Sequence, residues 1–352
     1  MTPATAAGVI LAVGLALAAT VLGVRTGWHP ADADEIVYRD TLLQMRRGVG
    51  VYQAQREALI IKEHAPPTSV RAIRPPTLFL VLRWFPPSSW RWLVGLVYLA
   101  DLLLVWRLAR IHGPPVGVAA VALAGVWLLG FCFYLFLHAE VWGMPLFLGG
   151  MLALRRDRSW VAAGLFLAAA CVRELYVTGL VCGAVLACVP PSAWLPRRAL
   201  LARVRPWAAA LLAASGLYAV HTALAERVLS AHGYNARFGN EHRTTAFLLR
   251  LVAPFTSGTG EFLGVLTLVA GVAGAVFIAR RDRAAVVAAV SGVAILGASV
   301  WATRVYWSAA WALPLAAFAP VGLTLAARWL VSAGAPTASA SGRPPGALAE
   351  SR

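Results

Sequence analysis

Residues 160–189 read WVAAGLFLAAACVRELYVTGLVCGAVLACV. The run is too long for one simple crossing of a bilayer, which takes about 20 apolar residues. Arg173-Glu174 interrupts it near its middle. Ionisable side chains in so apolar a setting are costly unless they meet each other or face a polar cavity. The run therefore reads as two short helices joined at Arg173-Glu174, with the pair near one membrane face. This division sets the parity of every apolar run around it.

The composition fits lipid as solvent. The chain has 352 residues, 60% of them hydrophobic and 13% charged, with a mean hydropathy of +0.71. A soluble domain of this length cannot hide so much apolar surface. The net charge of +16 would suit a nucleic-acid binder. However, the basic residues fall in short clusters between apolar runs, as in the loops of a polytopic membrane protein, so no nucleic-acid partner is expected. Cys132, Cys171, Cys182 and Cys188 lie inside apolar runs without metal-site spacing and read as small buried hydrophobes. The N-terminus lacks a basic n-region, so residues 6–24 read as a retained first helix.

Further spans are expected at 90–106, 116–137, 141–154, 207–224, 262–279, 284–302 and 306–330. Placing the basic clusters at 107–110, 155–158, 197–205 and 280–283 in the cytoplasm makes every alternation work once 160–189 is split. The expected fold is an all-α, polytopic transmembrane helical bundle of about ten helices, several of them short. Residues 1–331 form one membrane domain. Within it, 25–88 is a first external loop with short interfacial helices, and 225–260 is a second external loop. Leu42, Leu43, Met45 and Val49 supply the apolar stripe of one interfacial helix. The N-terminus and a disordered tail, 332–352, are cytoplasmic.

This topology sorts the acids. All except Asp101, Asp157, Asp282 and Glu350 fall outside or at the outer edge. The densest group is Asp32, Asp34 and Glu35, directly after the first helix, in Ala31–Tyr38. A one-sided set of carboxylates points to a site at the outer face of the plasma membrane.

Several short patterns then align with a known family. Asp34 and Tyr38 stand four apart, followed by Gly48 and Tyr52, then Pro75, Pro76 and Phe79. His138–Glu140 precede a short helix, Arg155–Arg158 form a basic turn, Gly164 stands at the next helix start, and Arg173 follows about ten residues further on. In this order the chain resembles the GT-C superfamily of membrane glycosyltransferases, and within it the polyprenol-phosphate-mannose-dependent mannosyltransferases. The resemblance covers roughly residues 5–190, with Arg304 and Tyr306 as a further echo. Arg74 stands where that branch often has an aromatic residue, Ala139-Glu140 where it often has Gly-Gln, and Arg173-Glu174 where it often has Lys-Pro.

The resemblance implies transfer of a sugar, mannose favoured and a pentose the other option, from a polyprenyl-phosphate donor to a glycolipid or cell-envelope glycan. Such a transfer needs a base near the acceptor hydroxyl and cations on the leaving phosphate. The expected catalytic residues are Asp34, with Glu35 and Asp32 as neighbours or substitutes. The expected substrate-binding residues are Tyr38, His138, Glu140, Arg173, Glu174, Arg304 and Tyr306. Arg suits phosphate because its planar fork bonds two oxygens. Plainer readings stand beside these. The acids can cap a loop helix, Glu140 can complement a helix dipole, and Arg173-Glu174 can be an ion pair joining two half-helices. No cofactor is expected, and one acidic cluster is too little to support a divalent metal. The reading from a different class is a multi-pass transporter or lipid flippase. It would show interrupted helices in matching halves, and the sequence marks one interruption.

Overall fold

The computed structural model describes residues 3–25, 33–63, 73–134, 137, 139–189, 197–231, 259–301 and 312–334. The regular elements among these are all helical, with 14 α-helices against the about ten expected. In order they are α1 (Pro3–Arg25), α2 (Ala33–Arg46), α3 (Val51–Glu63), α4 (Thr77–Leu82), α5 (Trp90–Ala109), α6 (Pro114–Tyr134) and α7 (Ala139–Arg155). Then come α8 (Ser159–Val172), α9 (Val177–Cys188), α10 (Arg197–Ser230), α11 (Thr259–Ile278), α12 (Arg283–Trp301), α13 (Ala312–Ala316) and α14 (Ala319–Gly334). The excess over expectation comes from the 25–88 segment, which folds into α2, α3 and α4, and from a break in the last apolar run.

The long helices alternate in direction. Gly8 of α1 lies against Trp106 near the end of α5, and Thr20 lies against Gly95, so α1 and α5 are antiparallel. α6 starts beside Arg110 at Gly117 and meets Leu15 at Gly125, so it runs with α1. α7 and α8 form a hairpin, with Glu140 beside Arg173 at one end and Gly150 against Phe166 along its length. At Arg173 the backbone becomes extended (φ −148°, ψ 121°), which ends α8. A 3-10 turn, Glu174–Tyr176, leads into α9. The run 160–189 is thus two short helices joined at the charged pair. Phe147, Phe166, Tyr176 and Trp207 bind α7, α8, α9 and α10 through ring contacts at 5.2, 5.3 and 6.3 Å.

The bundle has two distinct ends. At one, Arg155 closes on Asp282 (Nε to Oδ1, 3.0 Å) and donates from Nη1 to the Leu108 carbonyl at 2.8 Å. Asp282 also accepts the Ala284 backbone N–H at 3.0 Å, and His112 stands 3.7 Å away. Asp157, in a left-handed turn (φ 55°), pairs with Arg283. The turns after α5, α7 and α11 therefore meet here, held by the two acids that lie inside basic clusters. At the opposite end lie Glu140 and Arg173.

Three boundaries differ from expectation. α10 runs unbroken from Arg197 to Ser230 through Pro206, so Ala225–Ser230 is helix rather than external loop. The reason is packing: Ala225 and Leu229 are buried with Val37, Ala58, Leu59 and Ile73 in a second, smaller apolar cluster that α2 and α3 help to build. The run 306–330 is interrupted at Ala317-Phe318, ahead of Pro320, which cannot donate a backbone hydrogen bond. Ser332–Gly334, expected in the tail, close α14, and 335–352 lie outside the described residues.

Two helices among the described residues are long and apolar enough to cross a membrane, Pro87–His112 and Arg198–Ser230. Many of the large apolar side chains on α10 face outward, including Leu201, Leu212, Leu217, Val220 and Leu224.

Candidate functional site

The site end of the bundle is assembled from α2, α3, the 73–76 segment, α7 and the α8–α9 break. The α2–α3 hairpin depends on Gly48. It takes φ +93°, a left-handed conformation open to glycine, and ends α2 by donating to the Met45 carbonyl at 3.1 Å while Val49 donates to Gln44 at 3.2 Å. This reversal puts α3 back along α2, with Leu42 and Met45 buried between them and the core. Tyr38, on α2, stacks on Phe79 of α4 with ring centroids 5.2 Å apart.

Gln55 of α3 is buried and uses both ends of its amide on one residue. Its Nε2 donates to the Arg74 carbonyl at 3.0 Å, and its Oε1 accepts the Arg74 N–H at 2.7 Å. Pro75 and Pro76 have no N–H to offer, so Arg74 carries the last backbone donor before α4. The clamp fixes the backbone from which the Arg74 side chain reaches inward.

From there a chain of alternating charge crosses three segments. Arg74 Nη1 lies 3.8 Å from Glu174 Oε1. The same oxygen is 3.0 Å from Arg173 Nη1. Arg173 Nε stands 2.6 Å from Glu140 Oε1. The Tyr176 hydroxyl donates to the Glu140 backbone carbonyl, and Tyr38 is close enough to Arg173 to act on its charge. Glu140 sits in the first turn of α7, where a carboxylate complements the helix dipole. The Arg173 side chain is 1% exposed. Two carboxylates thus neutralise a cation that would be prohibitively costly alone. Gly143 lies against the Tyr176 ring with no room for a β-carbon, which lets α7 and the break come close enough for these bonds.

The structure therefore brings together Tyr38, Glu140, Arg173 and Glu174 of the expected residues. Asp34 and Glu35 lie in the first turn of α2, and Asp34 precedes Tyr38 by four residues, one turn along the same helix face. Asp32, His138, Arg304 and Tyr306 lie outside the described residues, as does Glu241-His242-Arg243. Sequence reasoning did not assign roles to Gln55, Arg74, Tyr176 and His221. Arg74 had a signal, a charge directly before Pro-Pro. Tyr176 had one too, standing one turn after Arg173. Gln55 and His221 had none, because their roles depend on which helices pack together.

Beside the charge chain, Tyr52 of α3 meets α10. Its hydroxyl lies 3.2 Å from Nδ1 of His221, which is three residues, nearly one turn, after Tyr218 on α10 and in ring contact with it at 5.8 Å. Burial raises the Tyr52 hydroxyl above its usual range. Among the described residues, no group of three or more His, Cys, Asp or Glu is arranged to hold a metal ion. No family model, curated protein or solved structure matches the chain.

Proposed function

We propose that the chain is a multi-pass membrane glycosyltransferase, GT-C-like, that moves a sugar from polyprenyl phosphate to a glycolipid or envelope glycan. The basic turns lie on the cytoplasmic side, and the charge chain lies on the outer side of the plasma membrane. One observation carries this reading. The end of the bundle opposite the basic turns gathers Tyr38, Arg74, Glu140 and the Arg173-Glu174 pair from four segments, and Asp34 lies one helical turn from Tyr38 on α2. α10, 34 residues long and so about 51 Å, exceeds a hydrocarbon core of about 30 Å. Its last turns emerge beside α3 to complete an outer lobe.

In the reaction, Asp34 takes the proton of the acceptor hydroxyl as that oxygen bonds to the anomeric carbon. The bond from that carbon to the phosphate oxygen breaks, and the polyprenyl phosphate leaves with the electron pair. Guanidinium groups stabilise the charge it gains. Arg173, buried between two carboxylates, serves by positioning Glu140 and Glu174, which leaves Arg304 as the cation proposed for the phosphate.

The break at Ala317-Phe318 gives the second half of the chain an interrupted helix of its own, which favours a transporter as the second reading. Membranes containing the protein, supplied with radiolabelled polyprenyl-phosphate sugars, separate the two. Transfer of label to a lipid or glycan acceptor supports the enzyme. Absence of transfer from every such donor moves the reading to transport.

A further inference from the structure

Next to the buried Glu140–Arg173 pair, on its α3–α10 side, four side chains form a small group on adjoining segments. Tyr52 bonds His221 and packs on the apolar cluster that holds Ile73, Arg74 follows Ile73, and Arg74 reaches Glu174. Whichever of the two groups donates, the Tyr52 oxygen spends at most one lone pair on His221. It therefore keeps acceptor capacity. Glu174 is in a similar state. Its Oε1 takes both arginines, while its Oε2 is buried and accepts no hydrogen bond among the described residues. A buried carboxylate oxygen left unbonded is costly, so the place calls for a donor.

The chemistry selects the ligand. Two acceptors beside an arginine already facing a carboxylate would repel a phosphate. They suit an uncharged molecule rich in hydroxyl donors. Tyr52 and the exposed Tyr218 add aromatic faces, which favour the C–H groups of a sugar ring.

We propose that Tyr52, Arg74, Glu174 and His221 line the subsite for the acceptor saccharide, distinct from the place of the donor phosphate. This rests on the glycosyltransferase reading above. The test uses the full chain in lipid nanodiscs, with labelled polyprenyl-phosphate mannose as donor and a short synthetic alkyl mannoside as acceptor. Glu174→Gln and Tyr52→Phe should each raise the KM for the alkyl mannoside about tenfold, with the donor KM changed less than about twofold. A rise in donor KM, or no change in either, overturns the subsite. Tyr52→Phe keeps the ring and stands outside the Arg173 network, so it decides the matter if Glu174→Gln fails to fold. If the wild type transfers nothing, the glycosyltransferase reading fails separately. Equilibrium binding of the alkyl mannoside then decides the subsite: weaker binding by Tyr52→Phe upholds it, and equal or absent binding overturns it.

Discussion

Arg173 is the residue on which the site end turns. Its side chain is buried, at 1% exposed, and its charge is met by Glu140 at 2.6 Å and Glu174 at 3.0 Å. Removing one partner of a buried pair leaves an uncompensated charge. Glu140→Gln should therefore destabilise the protein by about 2 kcal/mol or more, Glu174 softening the loss. A lowered melting temperature of the purified protein checks this. An unchanged one would mean that the pair contributes nothing to holding α7 against the break. Glu140, Arg173 and Glu174 were legible in the sequence because charge inside an apolar run is expensive and must be answered. Arg74 was marked only by standing before Pro75-Pro76; its partner was not legible in a chain whose basic residues are, Lys62 apart, all arginine. What distinguishes Arg74 is the pair of hydrogen bonds between its backbone and Gln55, 19 residues away, which only the α2–α3 hairpin creates.

At the scale of elements, Gly48 shows how a spacing becomes a shape. Gly48 and Tyr52 first appear as part of a loose sequence pattern. In the fold, the left-handed Gly48 ends α2 so that α3 can return and present Tyr52 to α10. Gly48→Ala should cost about 1 kcal/mol, because a β-carbon strains that conformation while nothing nearby obstructs it. Melting of the variant measures this, and unchanged stability would contradict the cap. The split of 160–189 was legible because length and charge both demanded it. The extension of α10 to Ser230 was not, because Ala225–Ser230 follows the apolar run and holds Glu226 and Arg227; its helicity comes from packing onto α2, α3 and Ile73.

For the whole molecule, polarity between the two ends is the organising feature. That the basic turns share one end was readable from the clustering of basic residues, but the ties that hold them there were hidden. Asp157 and Asp282 sit among arginines in sequence, yet each pairs with an arginine more than a hundred residues away. Burial alone would raise the Asp282 carboxyl, but His112 and Arg155, together with the Ala284 N–H, outweigh it and hold the group below its ordinary value of 3.8. A carboxyl depressed in the folded state contributes stability that is complete above its unfolded pKa and is lost as pH falls through the folded one. Asp282→Asn should thus lower the melting temperature at neutral pH, and the gap to wild type should narrow once the pH drops below about 4. A gap that stays constant with pH would show that the ionised carboxylate is not what ties the turns.

The proposed chemistry belongs to the opposite end, and Asp34 is the group assigned to take the proton. Transfer from radiolabelled polyprenyl-phosphate mannose, compared in membranes holding equal amounts of wild type and Asp34→Asn, tests that assignment most directly. The account predicts label in the acceptor with wild type and a loss of at least about a hundredfold with Asp34→Asn, the range of a general base. Equal transfer by the two proteins would contradict it.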